Sequence, residues 1–474
     1  MRPASSDTWR IAGWPRVRNG SADESGHADY ECVKICYNTQ VFDQGPRSLS
    51  LLRQELGHVA TGEQSGLLPR WLRPPIPLNH SKRIAILGAT GSIGQSTLAV
   101  LRHASQATDS ALAENGRFRL FGISGHENLA DLAAAAREFQ PDFVVCSNPE
   151  SNSHWSESCP EFSGRFETGA DALVALASHP HVDVVVAAIV GRAGLESTMA
   201  AIESGKLVAL ANKETLVVAG HLATDLATKT DARILPVDSE HSAIFQCLHS
   251  GCGREIRRVI LTASGGPFRT WTAEQQRNVT PEQARAHPTW KMGAKISIDS
   301  ATMMNKALEL IEAKWLFGLE PEQLEVVVHP ESIVHSMVEF VDGSILAQCS
   351  PPDMKLPIQA ALDYPNRFDS PASRLDFSSS FGLNFEPPDM DRFPALLVGL
   401  EVASRGGSCG VVLNAANEVA VQAFLERRIR FSEIVPVCRK VLDSHPFEPY
   451  PDLKSILELD CWARLESCQC ISSY

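Results

Sequence analysis

The sequence predicts an α/β protein: a doubly wound parallel sheet toward the N-terminus, a central α/β region, and a smaller helical region at the C-terminus. Three observations carry that class. The apolar run Lys82-Arg-Ile-Ala-Ile-Leu87 leads into a glycine-rich turn and then a helix-like stretch over 95–101. Near-continuous apolar runs recur between helical patterns, as strands buried on both faces require. Beyond residue 389 the stretches 393–403, 411–424 and 431–442 carry helical apolar spacing.

The turn after the first run reads Gly88-Ala89-Thr90-Gly91-Ser92-Ile93-Gly94. Strand, glycine turn and helix follow in the order a Rossmann-type dinucleotide fold uses. Glycines let the backbone approach a pyrophosphate, and the helix N-terminus offers free N–H groups and a positive dipole end. Thr90, Gly91, Ser92 and Ile93 are therefore candidate cofactor contacts. The spacing Gly-x-x-Gly-x-x-Gly departs from the commoner Gly-x-Gly-x-x-Gly, and a ligand-free turn is the alternative. A second strand over 118–124 ends in Gly125-His126-Glu127-Asn128, where an adenosine ribose is expected. An acid there accepts from ribose hydroxyls and disfavours a 2′-phosphate, so Glu127 points toward NAD and His126 away from it. Further strands are expected over 141–146 and 182–190.

Leu235-Pro-Val-Asp238-Ser239-Glu240-His241 and Asp299-Ser300-Ala-Thr-Met-Met-Asn305-Lys306-Ala-Leu-Glu309 read as the halves of a split metal site. On an extended backbone Asp238 and Glu240 point to one side, while Asn305 and Glu309, four apart, share a helix face. Three carboxylates without His or Cys suit a hard cation, Mg2+ or Mn2+, and Lys306 beside them suits a phosphate. The plainer reading is a solvated strand end and an ordinary amphipathic helix. His329 and His335 have no third ligand at metal spacing, so structural roles are expected for them.

Six motifs, in order, then resemble the 1-deoxy-D-xylulose 5-phosphate reductoisomerase family: Gly88 to Gly94, Ala211-Asn212-Lys213-Glu214, Leu235 to His241, Ala263-Ser264-Gly265-Gly266-Pro267-Phe268, His287-Pro-Thr-Trp290-Lys-Met292-Gly293, and Asp299 to Glu309. The resemblance runs from Lys82 nearly to the C-terminus. It implies rearrangement of deoxyxylulose phosphate and reduction to 2-C-methyl-D-erythritol 4-phosphate, with NADPH and a divalent metal, on the non-mevalonate route to isoprenoids. It makes Asp238, Glu240 and Glu309 the metal ligands and, with Lys213, the catalytic set. A cation at a ketone and neighbouring hydroxyl would stabilise enediolate-like charge. Lys213 near metal and cofactor is expected to have a lowered pKa suited to proton shuttling, the plain alternative being a surface lysine. By resemblance Lys213 and Ser239 face the substrate, Asn212 and Glu214 the cofactor. Ser264, Ser300, Asn305 and Lys306 grip the phosphate, although Ser-Gly-Gly-Pro alone also reads as a plain turn. The polar stretch between Ser264 and Met292 is expected to be a mobile lid, with His287 and Trp290 covering the substrate and Gly293 touching the cofactor. Many family members carry Lys or Arg at the Glu127 position, so Glu127 lowers the expectation of 2′-phosphate specificity while NADPH stays the expected cofactor.

The chain has 474 residues and a net charge of −13, which argues against nucleic acid or anionic membranes as partners. Its 12 cysteines are scattered without Cys-x-x-Cys pairs, as free thiols in a reducing compartment would be. The longest apolar run, near 184–190, is too short to span a bilayer, which takes about 20 residues. Residues 1–80 read as a disordered or extension arm, either a transit segment or a start assigned too far upstream. The expected organisation is that arm, a dinucleotide-binding domain over 81–237, a metal and substrate domain over 238–364, a linker over 365–388 and a helical domain over 389–474, with the terminal 466–474 unlike the family's usual basic helical end. The family implies a homodimer. A bacterial-type cytoplasmic location is expected, with plastid import through the arm left open. Two other classes remain open on sequence: a semialdehyde-type NADP dehydrogenase, which needs a reactive cysteine, and a non-catalytic NADP-binding sensor.

Overall fold

The computed structural model describes residues 69–75, 80–106, 116–249, 255–290 and 292–473. Seven parallel strands form one sheet: β1 (Lys82–Leu87), β2 (Phe118–Gly125), β3 (Phe143–Cys146), β4 (Arg165–Thr168), β5 (Val184–Ala187), β6 (Leu207–Leu210) and β7 (Arg233–Pro236). Their order is β4-β3-β2-β1-β5-β6-β7. The chain walks outward from β1 to β4 and returns to β5, so the topological switch falls between β1 and β5, where ligands of open α/β sheets bind. Helices cover both faces, and all four residues of β5 and of β6 are buried. The strand expected over 182–190 is limited to its central four residues, because Val190 is 71% exposed and the chain turns at Gly191.

Helices that matter below are α1 (Ser92–Gln106), α2 (Leu129–Phe139), α3 (Glu214–Thr230), α4 (Ser239–Leu248), α5 (Ala294–Thr302), α6 (Met304–Phe317), α7 (Cys409–Leu425) and α8 (Leu453–Ser472). A second, four-stranded sheet of β8 (Ile256–Ala263), β9 (Leu324–Val328), β10 (Val334–Phe340) and β11 (Ile345–Cys349) has the order β11-β10-β8-β9, with β8 and β9 parallel and β10 antiparallel to its neighbours. Helix α4 packs on β10 and β11, and α6 is wedged between α3 and the helix Ala395–Arg405. Close approach there depends on small residues: a Cβ on Gly399 would lie 2.6 Å from Ala307 Cα, and one on Gly220 only 2.3 Å from the Trp315 ring.

Two expectations about the ends change. Most of the 1–80 arm lies outside the described residues, as do Cys32 and Cys36, but its last part is not loose. Arg70–Leu72 forms a 3-10 turn, Leu72 is fully buried, and Trp71 Nε1 donates to the carbonyl of Leu316 at 3.0 Å. At the other end α8 continues to Ser472 with Ala463, Ser467, Cys470 and Ile471 buried, so the atypical composition still yields a packed helix. An apolar stripe is sufficient for docking, whatever the charge of the outer face.

Candidate active site

β7 ends at Pro236, and two residues later Asp238 caps α4, its Oδ1 accepting from the N–H of Glu240 at 3.3 Å. The extended-strand geometry expected for Asp238 and Glu240 is therefore replaced by an N-cap and a first helical turn. An N-cap carboxylate satisfies an otherwise orphaned N–H and sits at the positive end of the helix dipole. Glu309 enters from α6 and is 1% exposed. Carboxylate oxygens of Asp238, Glu240 and Glu309 lie within 4.8 Å of one another. Two ammonium groups stand between them. Lys213 Nζ is 2.5 Å from Asp238 Oδ2 and 3.0 Å from Glu309 Oε1, and it donates to Asn305 Oδ1 at 3.0 Å. Lys306 Nζ donates to Glu240 Oε1 at 2.9 Å and also to Glu309. Asn305 Nδ2 donates to Glu309 Oε1 at 2.5 Å, and Ser239 Oγ to Glu240 Oε2 at 2.5 Å.

Charge balance follows from that geometry. Burial, helped by Glu309 and Asp238 and opposed by Lys306, pushes Glu240 up to about 7. Asp238 is held well below the usual carboxylate range, since Lys213 and His241 outweigh its burial. The lowered pKa expected of Lys213 belongs to a lysine beside a bound metal and cofactor; in the protein alone its neighbours act the other way. Burial alone would depress it, but Asp238, Glu309 and Glu312 hold it well above its ordinary value. Sequence reasoning missed what lies behind the carboxylates. His241 is fully buried, with Nδ1 3.2 Å from Glu312 Oε2 and 3.7 Å from Asp238 Oδ1, and Nε2 3.0 Å from the Glu309 carbonyl. Burial works against its charge, yet Glu312 and Asp238 raise it to about 9. The three-residue step from Glu309 to Glu312 on one helix face was the available signal.

The expected phosphate group divides in two. Gly265 and Gly266 turn with φ of 81° and 66°, and a Cβ on Gly266 would lie 2.7 Å from the Ser300 carbonyl, so this loop abuts the end of α5 at Ser300. Ser264 Oγ accepts from Gly266 N at 3.2 Å and lies 3.0 Å from His287 Nε2. Asn305 and Lys306, by contrast, are turned toward the carboxylates. The stretch expected as one lid is largely structured: helices Ala273–Gln276 and Pro281–Arg285 carry capping boxes, and Gln276, Val279 and Ala284 are buried. Irregular backbone follows Arg285. There His287 Nδ1 accepts from Thr289 N at 3.1 Å and Trp290 N at 2.9 Å, which leaves its proton on Nε2, toward Ser264. The Trp290 ring centroid lies 6.4 Å from that of His335. His335 Nε2 lies 3.1 Å from the Ser350 carbonyl and His329 Nε2 accepts from Ile333 and Val334 N–H, the structural roles expected.

At the sheet switch, a Cβ on Gly88 would meet the Ala188 carbonyl at 2.8 Å, and one on Gly94 would meet Ala89 Cα and the Gly88 carbonyl at 2.4 Å. These two glycines bring β1, β5 and α1 together. Gly91 is less crowded: a Cβ there would make an ordinary van der Waals contact with the Gly88 carbonyl at 3.5 Å. His126 and Glu127 are exposed past β2, with His126 Nδ1 2.9 Å from Ser147 Oγ, and Asn128 caps α2 by accepting from Asp131 N at 3.1 Å. The side chain of Asn212 is engaged by protein: Nδ2 donates to the carbonyls of Gly191 (2.7 Å) and Ile189, and Oδ1 accepts from Thr215 N at 2.9 Å. Glu214 is buried and pairs with Lys295 Nζ at 3.5 Å. Lys295 in turn lies 2.7 Å from Asp299, which accepts from Asn417 on α7 at 2.8 Å. Gly293 caps α5 with open space where a Cβ would stand.

Three family profiles match: 1-deoxy-D-xylulose 5-phosphate reductoisomerase over 84–220, its C-terminal domain over 234–317, and a DXP reductoisomerase C-terminal domain over 349–466. The 1-deoxy-D-xylulose 5-phosphate reductoisomerase of Rhodopirellula baltica is 49% identical over 81% of this chain and 93% of its own length, and that of Chlorobium chlorochromatii 48% over 81% and 98%. Among solved structures, the Zymomonas mobilis enzyme in complex with NADPH superposes with a TM-score of 0.76 at 44% identity, covering 83% of this chain and all, 100%, of that one. A DOX-P reductoisomerase in complex with NADPH, fosmidomycin and magnesium matches with a TM-score of 0.76 at 42% identity, over 82% of this chain and 98% of that one.

Proposed function

Because the chain belongs to the 1-deoxy-D-xylulose 5-phosphate reductoisomerase family, we propose that Asp238, Glu240 and Glu309 hold its divalent metal, with Lys213 as the catalytic lysine beside them. It is an NADPH-dependent oxidoreductase and isomerase that rearranges deoxyxylulose phosphate and reduces the product to 2-C-methyl-D-erythritol 4-phosphate. The observation that carries the site is the meeting of three carboxylates, Glu309 buried on α6 and Asp238 and Glu240 partly buried at the start of α4, around two buried ammonium groups. An all-oxygen set of that kind fits Mg2+ or Mn2+. When bound, the metal supplies electrostatic stabilisation of negative charge on the reacting oxygens, and NADPH supplies the hydride.

The protein's own residues do the rest. Lys213, 2.5 Å from Asp238 and 3.0 Å from Glu309, is placed beside the reacting oxygens to donate a hydrogen bond or to move a proton. Lys306 and Asn305 can turn from Glu240 and Glu309 toward a phosphate, with Ser264 and Ser300 completing its grip. His287, neutral because burial lowers it, orients Ser264 and, with Trp290, shields the substrate from water. Thr90, Gly91, Ser92 and Ile93 take the pyrophosphate, His126, Glu127 and Asn128 the adenosine end, and Asn212, Glu214 and Gly293 wall the nicotinamide end. A homodimer in the cytoplasm completes the reading. The family match does not favour the semialdehyde dehydrogenase alternative, and burial raises Cys159, Cys247, Cys349, Cys409 and Cys438 above ordinary thiols.

NADPH absorbance followed with purified protein, deoxyxylulose phosphate and Mn2+ tests the reading, repeated with EDTA and with NADH. Oxidation that EDTA abolishes is expected, faster with NADPH than NADH. EDTA-insensitive oxidation would overturn the metal assignment, and a preference for NADH would give Glu127 the ribose role.

A further inference from the structure

The turn that closes β5 is gripped from the C-terminal helices. Gly191 has φ +70°, and a Cβ there would lie 2.9 Å from Glu418 Oε1 on α7. Glu418 is fixed in turn: its Oε1 accepts from Asn414 Nδ2 at 3.1 Å and its Oε2 from Arg464 Nη2 of α8 at 2.6 Å. Arg464 also donates from Nε to Asp460 Oδ2 at 2.8 Å, and the same oxygen lies 3.8 Å from Nε of Arg192, the next residue of the turn. From its other side the turn is tied to the start of α3, because the Gly191 carbonyl accepts from Asn212 Nδ2 at 2.7 Å. One position before Glu418, Asn417 bonds Asp299, whose partner Lys295 pairs with Glu214. Two lines of contact thus leave neighbouring residues of α7 and end on Asn212 and Glu214, either side of Lys213; the first begins as the close packing of Glu418 on Gly191 and continues as the Asn212 hydrogen bond, the second is polar throughout.

We propose that Glu418 and Arg464 are positioning residues for the nicotinamide end of the cofactor: they set the Gly191 turn, and through Asn212 the start of α3, against which the nicotinamide lies. The inference rests on the placement of the cofactor at Asn212 and Glu214 given above. Neither residue touches the reacting groups. Small misplacements of an orienting wall weaken binding far more than they weaken the fold.

The test is steady-state kinetics with NADPH and sugar phosphate varied separately, for Arg464→Ala, Arg464→Lys, Glu418→Gln and Asn212→Ala, alongside thermal melts. Arg464→Ala and Glu418→Gln are expected to raise the KM for NADPH about tenfold, leaving the sugar phosphate KM and the melting temperature close to those of the unaltered enzyme. Arg464→Lys, which keeps the charge, should recover most of the loss. An unchanged NADPH KM, or a rise in both KM values that tracks a fall in melting temperature, overturns the proposal. If Arg464→Ala does not fold, the isosteric Glu418→Gln decides alone. Asn212→Ala separates the two levels: a raised NADPH KM there with none at Glu418 and Arg464 removes only the positioning role, and no change at any of the three removes the cofactor placement as well.

Discussion

Glu309 is the residue on which the site turns, touching both lysines and Asn305 while 1% exposed. Glu309→Ala is expected to lower turnover by at least about a thousandfold, the scale set by loss of a metal-centred transition-state contact. NADPH binding, measured by fluorescence titration, should persist, because the glycine turn after β1 lies on another wall; retained turnover would remove Glu309 from the metal site. Away from the site, Asp183 gives a clean pH prediction. Its burial would raise it, but hydrogen bonds from Arg83 and His80 lower it below its ordinary value. A depressed carboxylate contributes stability above its unfolded pKa, near 4, and loses it as pH falls through the folded value. Asp183→Asn should therefore lower the melting temperature at pH 7 by about 2 °C, with the gap to the parent closing in acid. A constant gap across pH would show that the contribution is not the ion pair. At this scale the sequence exposed what spacing exposes. That Asp238, Glu240 and Glu309 would meet was legible from donor type and spacing, whereas the pairing of Glu312 with His241 is a tertiary contact signalled only by the three-residue step from Glu309.

Elements were legible where periodicity was strong and misread where capping decided the outcome. The alternation of apolar strands and helices marked the parallel sheet, and the run over 411–424 marked α7. Asp238-Ser-Glu looked extended because the rule of two was applied to residues that begin a helix, although Asp at an N-cap is the commoner meaning of an acid just before an apolar helical stripe. The supposed lid hid Thr272 and Thr280, each followed three residues later by Gln, which is the capping-box signature. The packing of α1 on β1 gives a prediction at this scale. A Cβ at Gly94 would meet only backbone, Ala89 Cα and the Gly88 carbonyl at 2.4 Å, so no side chain can yield and the helix must move off the strand. Gly94→Ala is expected to cost about 1–3 kcal/mol in urea unfolding and to weaken NADPH binding, since the N-terminus of α1 moves with it. Gly91→Ala, whose Cβ would meet the Gly88 carbonyl at an ordinary 3.5 Å, should leave stability nearly unchanged. Equal losses for the two would mean that the turn's flexibility, not helix–strand contact, is what glycine provides.

At the scale of the whole molecule, the second sheet presents β11 as an edge strand, since the order is β11-β10-β8-β9. Native edges are usually shortened, charged or covered, because unpaired N–H and C=O groups invite another strand. This one is apolar instead: Ile345 is 50% exposed, Leu346 37% and nearby Val341 67%. The segment over 365–388, which bridges β9 at the sheet's other edge through Glu386 and Val328, separately exposes Phe377, Phe381 and Phe385 by 77%, 44% and 43%. Scattered single apolar residues are ordinary on a surface, but an exposed apolar edge strand is what an interface leaves when one copy is viewed alone. The occupant expected is a second copy, because a self-complementary edge closes a twofold dimer without further parts. Sedimentation velocity at micromolar concentration should give a dimer for the unaltered chain and a monomer for a variant with Ile345→Asp and Leu346→Asp. Charges at exposed positions of an edge strand cost little in the monomer and several kcal/mol when buried in an interface, so melting of the separated chain should move little. A dimer that survives both substitutions would place the contact elsewhere. An unaltered chain that runs as a monomer would mean that the edge is covered within one copy.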